Sequence, residues 1–135
     1  MRKSKFKVSF RIRHPEMNPD DICKTLGLEA NHKWRAGSKR VTPKGTPLEG
    51  TYDVTYCSFK LKSNNLTELA DFLKKCNESF YKHKDFFNKI HSTGGSLEYY
   101  VGLFVEDNFG EVFDVDLMKE LVDLNINLSI DCHGH

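Results

Sequence analysis

A chain of 135 residues suits one domain around one packed core. With 39% hydrophobic and 29% charged residues it lies near the globular average, which excludes wholesale disorder, and no window reaches the roughly 18 consecutive apolar residues of a membrane span. The net charge of +1 conceals an asymmetry: residues 1–62 carry 14 Lys/Arg against 6 Asp/Glu, and residues 63–135 carry 6 against 13.

The basic start, Met1-Arg2-Lys3-Ser4-Lys5, runs into an alternating segment rather than an apolar stretch, so no secretory signal is expected and the chain reads as cytoplasmic. In that segment Phe6, Val8, Phe10 and Ile12 alternate with Lys5, Lys7, Ser9, Arg11 and Arg13, the period of a half-buried strand, which His14-Pro15 ends. A short helix follows. Asn18 is its N-cap, Pro19 its first position, Asp20 and Asp21 complement its dipole, Met17 and Ile22 form a staple, and Gly27 closes it. Its buried stripe is Ile22, Cys23 and Leu26.

Residues 29–50 lack apolar periodicity and contain two prolines and three glycines, the mark of a long loop with room for a short hairpin. Thr51 to Lys62 reads as a second strand whose buried parity changes between Tyr56 and Cys57, which a bulge would reconcile. Leu66 to Cys76 has helical spacing, with Asn65 and Glu68 as a capping-box analogue. Ser79 to His91 forms a second, more aromatic helix, broken by Ser92-Thr93-Gly94-Gly95. Ser96 to Glu106 is a third strand, burying Leu97, Tyr99, Val101, Leu103 and Val105. After a turn, Asp114 caps a helix whose stripe is Leu117, Met118, Leu121 and Val122, with Phe113 and Met118 as staple and Asn125 at its end. Ile126 to Cys132 is the last strand. The order β-α-β-α-α-β-α-β predicts a single α+β domain over residues 1–135. Its expected form is a two-layer sandwich of four mainly antiparallel strands with helices on one face, broadly ferredoxin-like.

Three segments together resemble a known bacterial family. They are Asn18 to Leu28 (NPDDICKTLGL), Trp34 to Gly37 (WRAG), and Asp116 to Asp131 (DLMKELVDLNINLSID). The family is domain of unknown function 4279, and the resemblance covers nearly the whole chain. It implies an α+β fold and assigns no activity or catalytic residue.

Candidate chemistry is sparse. The four cysteines, Cys23, Cys57, Cys76 and Cys132, are widely spaced and each lies in an apolar pattern, so reduced, buried thiols are expected. Cys132, His133 and His135 have metal-ligand chemistry, but a closed site needs donors from elsewhere, so no physiological metal is expected. No phosphate-cradling or zinc-hydrolase motif occurs, and no cofactor is expected. The basic loop is the foremost candidate: His32, Lys33, Trp34, Arg35, Lys39, Arg40 and Lys44 are interleaved with few acids. Such a loop suits a phosphate backbone with a stacked base, or an acidic protein surface. The plainer alternative folds Trp34 back over a sheet edge. The basic row of the first strand reads more readily as half of a charge-paired sheet face, completed by Glu98, Glu106 and Asp131, than as a ligand site.

The leading expectation is a non-enzymatic binding module that engages a protein partner, toxin-neutralising or regulatory, through His32, Lys33, Trp34, Arg35, Lys39 and Arg40. The alternative is a nucleic-acid-binding module using the same loop and the first strand. An enzyme of unidentified class stands third. No membrane partner is expected.

Overall fold

The computed structural model describes residues 5–63, 67–105 and 108–134. Strand β1 (Lys5–His14) buries Val8, Phe10 and Ile12, as its period of two requires. It forms the centre of a five-stranded sheet of order β2-β5-β1-β6-β7, made with β2 (His32–Trp34), β5 (Thr55–Leu61), β6 (Ser96–Val105) and β7 (Ile126–Gly134). β1 is antiparallel to both β5 and β6, β2 is antiparallel to β5, and β7 runs parallel to β6. A separate two-stranded sheet pairs β3 (Lys39–Val41) with β4 (Pro47–Thr51). Among the described residues there are four α-helices: α1 (Pro19–Leu26), α2 (Leu69–Phe80), α3 (Lys84–Ser92) and α4 (Val115–Leu124).

The fold is therefore mixed α+β, with five strands in the main sheet rather than four. The extra strand comes from the expected loop. Segments of three to five residues cannot display a period of two against their neighbours, so β2, β3 and β4 leave no legible pattern. The ferredoxin-like expectation fails at the last connection. A split β-α-β unit places another strand between its two parallel strands, whereas β6 and β7 are hydrogen-bonded neighbours.

The local punctuation of α1 holds. The Asn18 side chain accepts from the Asp20 N–H at 3.0 Å, and Gly27 closes the helix at φ 67°. α2 begins three residues later than expected, at Leu69; Asn65 and Leu66 lie outside the described residues. No side chain of its N-cap residue, Glu68, caps it. Instead the Glu111 carboxylate, 41 residues on, accepts the Ala70 N–H at 2.8 Å. α2 continues to Phe80, and a single 3-10 turn (Tyr81–His83) leads into α3, so the expected boundary at Ser79 lies inside α2. In α4, Asp114 accepts from the Leu117 N–H at 2.9 Å and Asn125 adopts φ 58°, as expected. Its buried stripe differs: Leu117, Leu121 and Leu124 face the core, while Met118 and Val122 are 55% and 76% exposed. Of the expected staple pair, Phe113 packs against the core. The bulge at Tyr56-Cys57 is also absent. Thr55 to Leu61 pair without interruption against β1, and the parity change arises because Tyr52 and Val54 precede the strand.

The core lies between the sheet and the helices, around Phe10, whose ring stacks on Phe80 at 4.6 Å and meets Phe87 and Tyr99 at 5.5 and 5.6 Å. One polar relay penetrates it. The Tyr99 hydroxyl donates to Asn77 Oδ1 at 2.7 Å, and Asn77 Nδ2 donates to Glu120 Oε1 at 2.9 Å, so the buried groups are satisfied. The turn after α3 approaches β1 closely. A β-carbon on Gly95 would stand 2.6 Å from the Arg13 carbonyl oxygen, leaving room for glycine alone.

Candidate functional site

The helices cover one face of the sheet, and alternation sends Lys5, Lys7, Ser9, Arg11 and Arg13 of β1 to the other. On that open face, strand spacing sets side chains of neighbouring strands side by side. They form a continuous row across the sheet. Tyr52 stacks on Trp34 with centroids 4.7 Å apart, Trp34 on Tyr56 at 4.6 Å, and the Arg13 guanidinium lies 5.0 Å from the Tyr56 ring. Arg13 and Arg11 then flank Glu98, with nitrogen–oxygen distances of 3.7 and 4.0 Å. The Arg11 guanidinium sits 3.8 Å over the Tyr100 ring, and the Tyr100 hydroxyl donates to Asp131 Oδ2 at 2.6 Å. That hydrogen bond holds the Tyr100 pKa above its ordinary value, with smaller contributions from burial and the Asp131 charge. Ser129 Oγ donates to Glu98 Oε2 at 2.5 Å and fixes the carboxylate. Beyond Asp131, His133 approaches it at 3.5 Å and stacks on Phe104, over which Lys7 stands at 5.9 Å.

The pairing expected between the basic first strand and later acids is thus present at Glu98. Asp131 binds Tyr100 and His133 instead of an arginine, and Glu106 lies outside the described residues. Two buried atoms of the row lack a hydrogen bond, although the ion pairs with Arg11 and Arg13 run to Glu98 Oε1. Arg11 Nε and Glu98 Oε1 are shielded from solvent and make no hydrogen bond among the described residues.

The six loop residues do not converge. His32 and Trp34 stand opposite Ser58 and Tyr56 and so join the open face, whereas Lys33 points to the helix side and donates to Asp20 Oδ1 at 2.7 Å. Arg35 is exposed just beyond β2. Lys39 and Arg40 belong to the separate hairpin, where Arg40 Nη1 donates to the Glu49 carbonyl oxygen at 3.3 Å. Trp34 is half-buried, and its stacking surface is occupied by two tyrosines. Tyr52 is anchored in turn: its hydroxyl donates to the Val41 carbonyl oxygen at 3.1 Å. Sequence reasoning passed over Tyr56 and Tyr100. Tyr100 shares the polar parity of Glu98, and Tyr56 shares that of Ser58 and Lys60 once the strand begins at Thr55, so parity was the available signal.

The thiols form no site. Cys57 is buried, with its pKa pushed up to about 12 by burial and by neighbouring Cys23, and burial alone pushes Cys76 up to about 12. Neither supplies a thiolate near neutral pH. Cys132 is exposed, contrary to the expectation of burial, because it lies near the end of an edge strand. Among the described residues, no three metal-ligating side chains gather, and His135 lies outside them. No helix among the described residues is long and apolar enough to cross a membrane.

No curated protein and no solved structure matches the chain. A family model does, and its span takes in both the sheet face and the helices behind it. Matched over residues 4–135, the chain belongs to the family described as Domain of unknown function (DUF4279).

Proposed function

We propose that this chain is a non-enzymatic bacterial binding module, working in the cytoplasm, that engages a protein partner over the open face of its sheet in a toxin-neutralising or regulatory role. The observation that carries this reading is the stacked row from Tyr52 through Trp34, Tyr56, Arg13 and Arg11 to Tyr100. Tyrosine, tryptophan and arginine are the residues in which protein interfaces concentrate their binding energy. Here each is already held by its neighbour, so docking orders few side chains and loses little entropy. Of the loop residues, His32 and Trp34 contribute to this face.

A nucleic acid is the second reading, supported by Lys5 and Lys7 on the same face. The protein reading is preferred because the row mixes both charges and because Trp34 already carries two rings, which leaves a base little surface to stack on.

Affinity capture from the native host, comparing the wild type with a Lys7→Glu/Arg13→Glu variant, tests the proposal. Both side chains lie in the solvent-facing row, so the variant is expected to keep its fold, verified by circular dichroism. Capture of a protein partner should weaken about tenfold or more. Equal capture by both forms would remove the face from consideration. Recovery of salt-sensitive nucleic acid instead of protein would replace the first reading by the second.

A further inference from the structure

The two edges of the main sheet are finished differently. β2 is three residues long. Where β5 runs on past it, the Lys60 N–H donates to Asn31 Oδ1 and the Asn31 N–H to the Ser58 carbonyl oxygen, both at 2.7 Å, so that edge is closed. β7 is nine residues long and ends the sheet on the other side. It pairs with β6 in unbroken register from Ile126 to Gly134, and it holds neither lysine nor proline. Bulges, lysines and prolines are the devices that keep an exposed edge from pairing, and β7 has none of them.

An apolar helix flank stands beside this edge. Glu120 of α4 turns toward α2, where it accepts from Asn77. Met118 and Val122 are each two positions from Glu120, about 200° around the helix, so both stand on the opposite flank. Both are exposed, as is Val115 one turn earlier. α2 lies inward over the sheet, where Phe72 meets Phe6 of β1. α4 connects β6 to its hydrogen-bonded neighbour β7 and packs behind that pair, so its apolar flank overlooks the free edge. Ile130, at the midpoint of β7, shares the parity of buried Ile126 and so lies on the helix side, yet it too is exposed.

We propose that β7 pairs antiparallel with β7 of a second copy of this chain, about a two-fold axis through Ile130. Overlap of the full strand sets Ile130 opposite its own counterpart. The two α4 helices then lie on one side of a continuous sheet, antiparallel and two strand spacings apart. That separation is about 10 Å, the distance at which helices pack. One axis serves both contacts. Ile130 lies about 13 Å along β7 from Ile126, and Met118 lies about 10 Å back along α4 from Asn125, at nearly the same level. Met118 therefore meets its counterpart near the axis, with Val115 and Val122 on either side. On the open face Asp131 comes opposite Ser129, and Asn127 opposite His133, so no like charges are opposed. Val115, Met118, Val122 and Ile130 expose an apolar patch on the order of a few hundred Å². Counted on both copies and joined by two strand backbones, the interface approaches the roughly 1,200 Å² at which stable ones begin. A foreign peptide strand would satisfy the edge but leave the helix flank bare; a second copy covers both. The stacked row from Tyr52 to Tyr100 stays open and is doubled, and self-association is measured apart from partner capture.

Sedimentation equilibrium of the full chain, from micromolar to submillimolar concentration, should reach twice the chain mass. Ile130→Lys at the edge and Met118→Glu/Val122→Glu on the flank, each checked for folding by circular dichroism, should each weaken the dimer about tenfold or more. Cross-linking tests the register without depending on those variants. In a Cys132→Ser background, Ile130→Cys should form a disulfide-linked dimer on mild oxidation, because residues on the axis face each other across the pair. Val41→Cys in the same background, exposed on the separate hairpin, should not. The proposal is overturned by a chain that stays monomeric throughout, by a dimer that either folded charge variant leaves intact, or by cross-linking through Val41→Cys and not Ile130→Cys. A monomer whose β7 amides gain protection from hydrogen exchange only when a different host protein is added would also overturn it.

Discussion

His14 ends β1 inside the protein, 4% exposed, with both ring nitrogens engaged. Nδ1 accepts the backbone N–H groups of Glu16 and Met17 at 3.1 and 2.9 Å, which leaves the proton on Nε2, donated to Thr93 Oγ1 at 2.7 Å. Thr93 Oγ1 passes its own proton to the Lys89 carbonyl oxygen at 2.6 Å. One neutral imidazole thus ties the first turn after β1 to the end of α3. Burial lowers its pKa below the ordinary histidine value, against a smaller opposing pull from Glu16. His83 is lowered too, by burial and then by Lys82. A histidine lowered in the folded state contributes stability that is complete above its unfolded pKa of about 6.5 and is lost as pH falls through and below it. The urea midpoint should therefore drop between pH 7.5 and pH 5.5, and His14→Gln should flatten that drop; an unchanged slope in the variant would place the effect elsewhere. His14 was legible in the sequence only as the strand's last residue. Its bond partner lies 79 positions away, and nothing local announces such a pairing.

At the scale of elements, the caps of α1 and α4 were legible locally, and contacts made over long sequence distances were not. The caps of α1 and α4 follow from residues within a few positions of each helix end. The start of α2 does not, because Glu111 satisfies its first turn from a distant loop. In α4, Met118 and Leu124 both keep helical spacing with Leu117 and Leu121, so periodicity alone cannot say which flank of the stripe is buried. The short strand β2 is held by its pairing with β5, by Trp34 between tyrosine neighbours, and by the exposed Lys33–Asp20 pair. These differ in weight. Each aromatic pair contributes about 0.5–1.5 kcal/mol, so Trp34→Ala should lower unfolding free energy by about 1–3 kcal/mol in urea titrations. Lys33→Ala should scarcely move it, since solvent screens an exposed pair. A Trp34→Ala protein as stable as the wild type would mean that the stack does not hold β2. The same expected loss makes Trp34 a poor probe of partner binding, which Lys7 and Arg13 test more cleanly.

For the molecule as a whole, the charge asymmetry between the two halves of the chain resolves into position. β1, from the basic half, lies beside β6, from the acidic half, and Glu98 meets Arg11 and Arg13 across that boundary. The candidate face was half legible: the parity of β1 gave its cations, but the tyrosines between them needed a register no local pattern supplies. Stability should be distributed accordingly. Amides of β1 and β6, each with a strand on both sides, should exchange hydrogen most slowly. Those of β3 and β4, whose residues are all exposed, should exchange fastest. Comparable protection in the hairpin and in β1 would contradict this ordering.

The central position of β1 also shapes how the protein is made. Its two neighbours are β5 and β6, both later in the chain, so β1 leaves the ribosome well before either of them. Until residues 96–105 emerge, Val8, Phe10 and Ile12 have no finished layer to enter and one strand edge stays unpaired. The nascent chain thus carries an adhesive segment from the emergence of β1 to that of β6, a period in which chaperones are needed and misassembly is frequent.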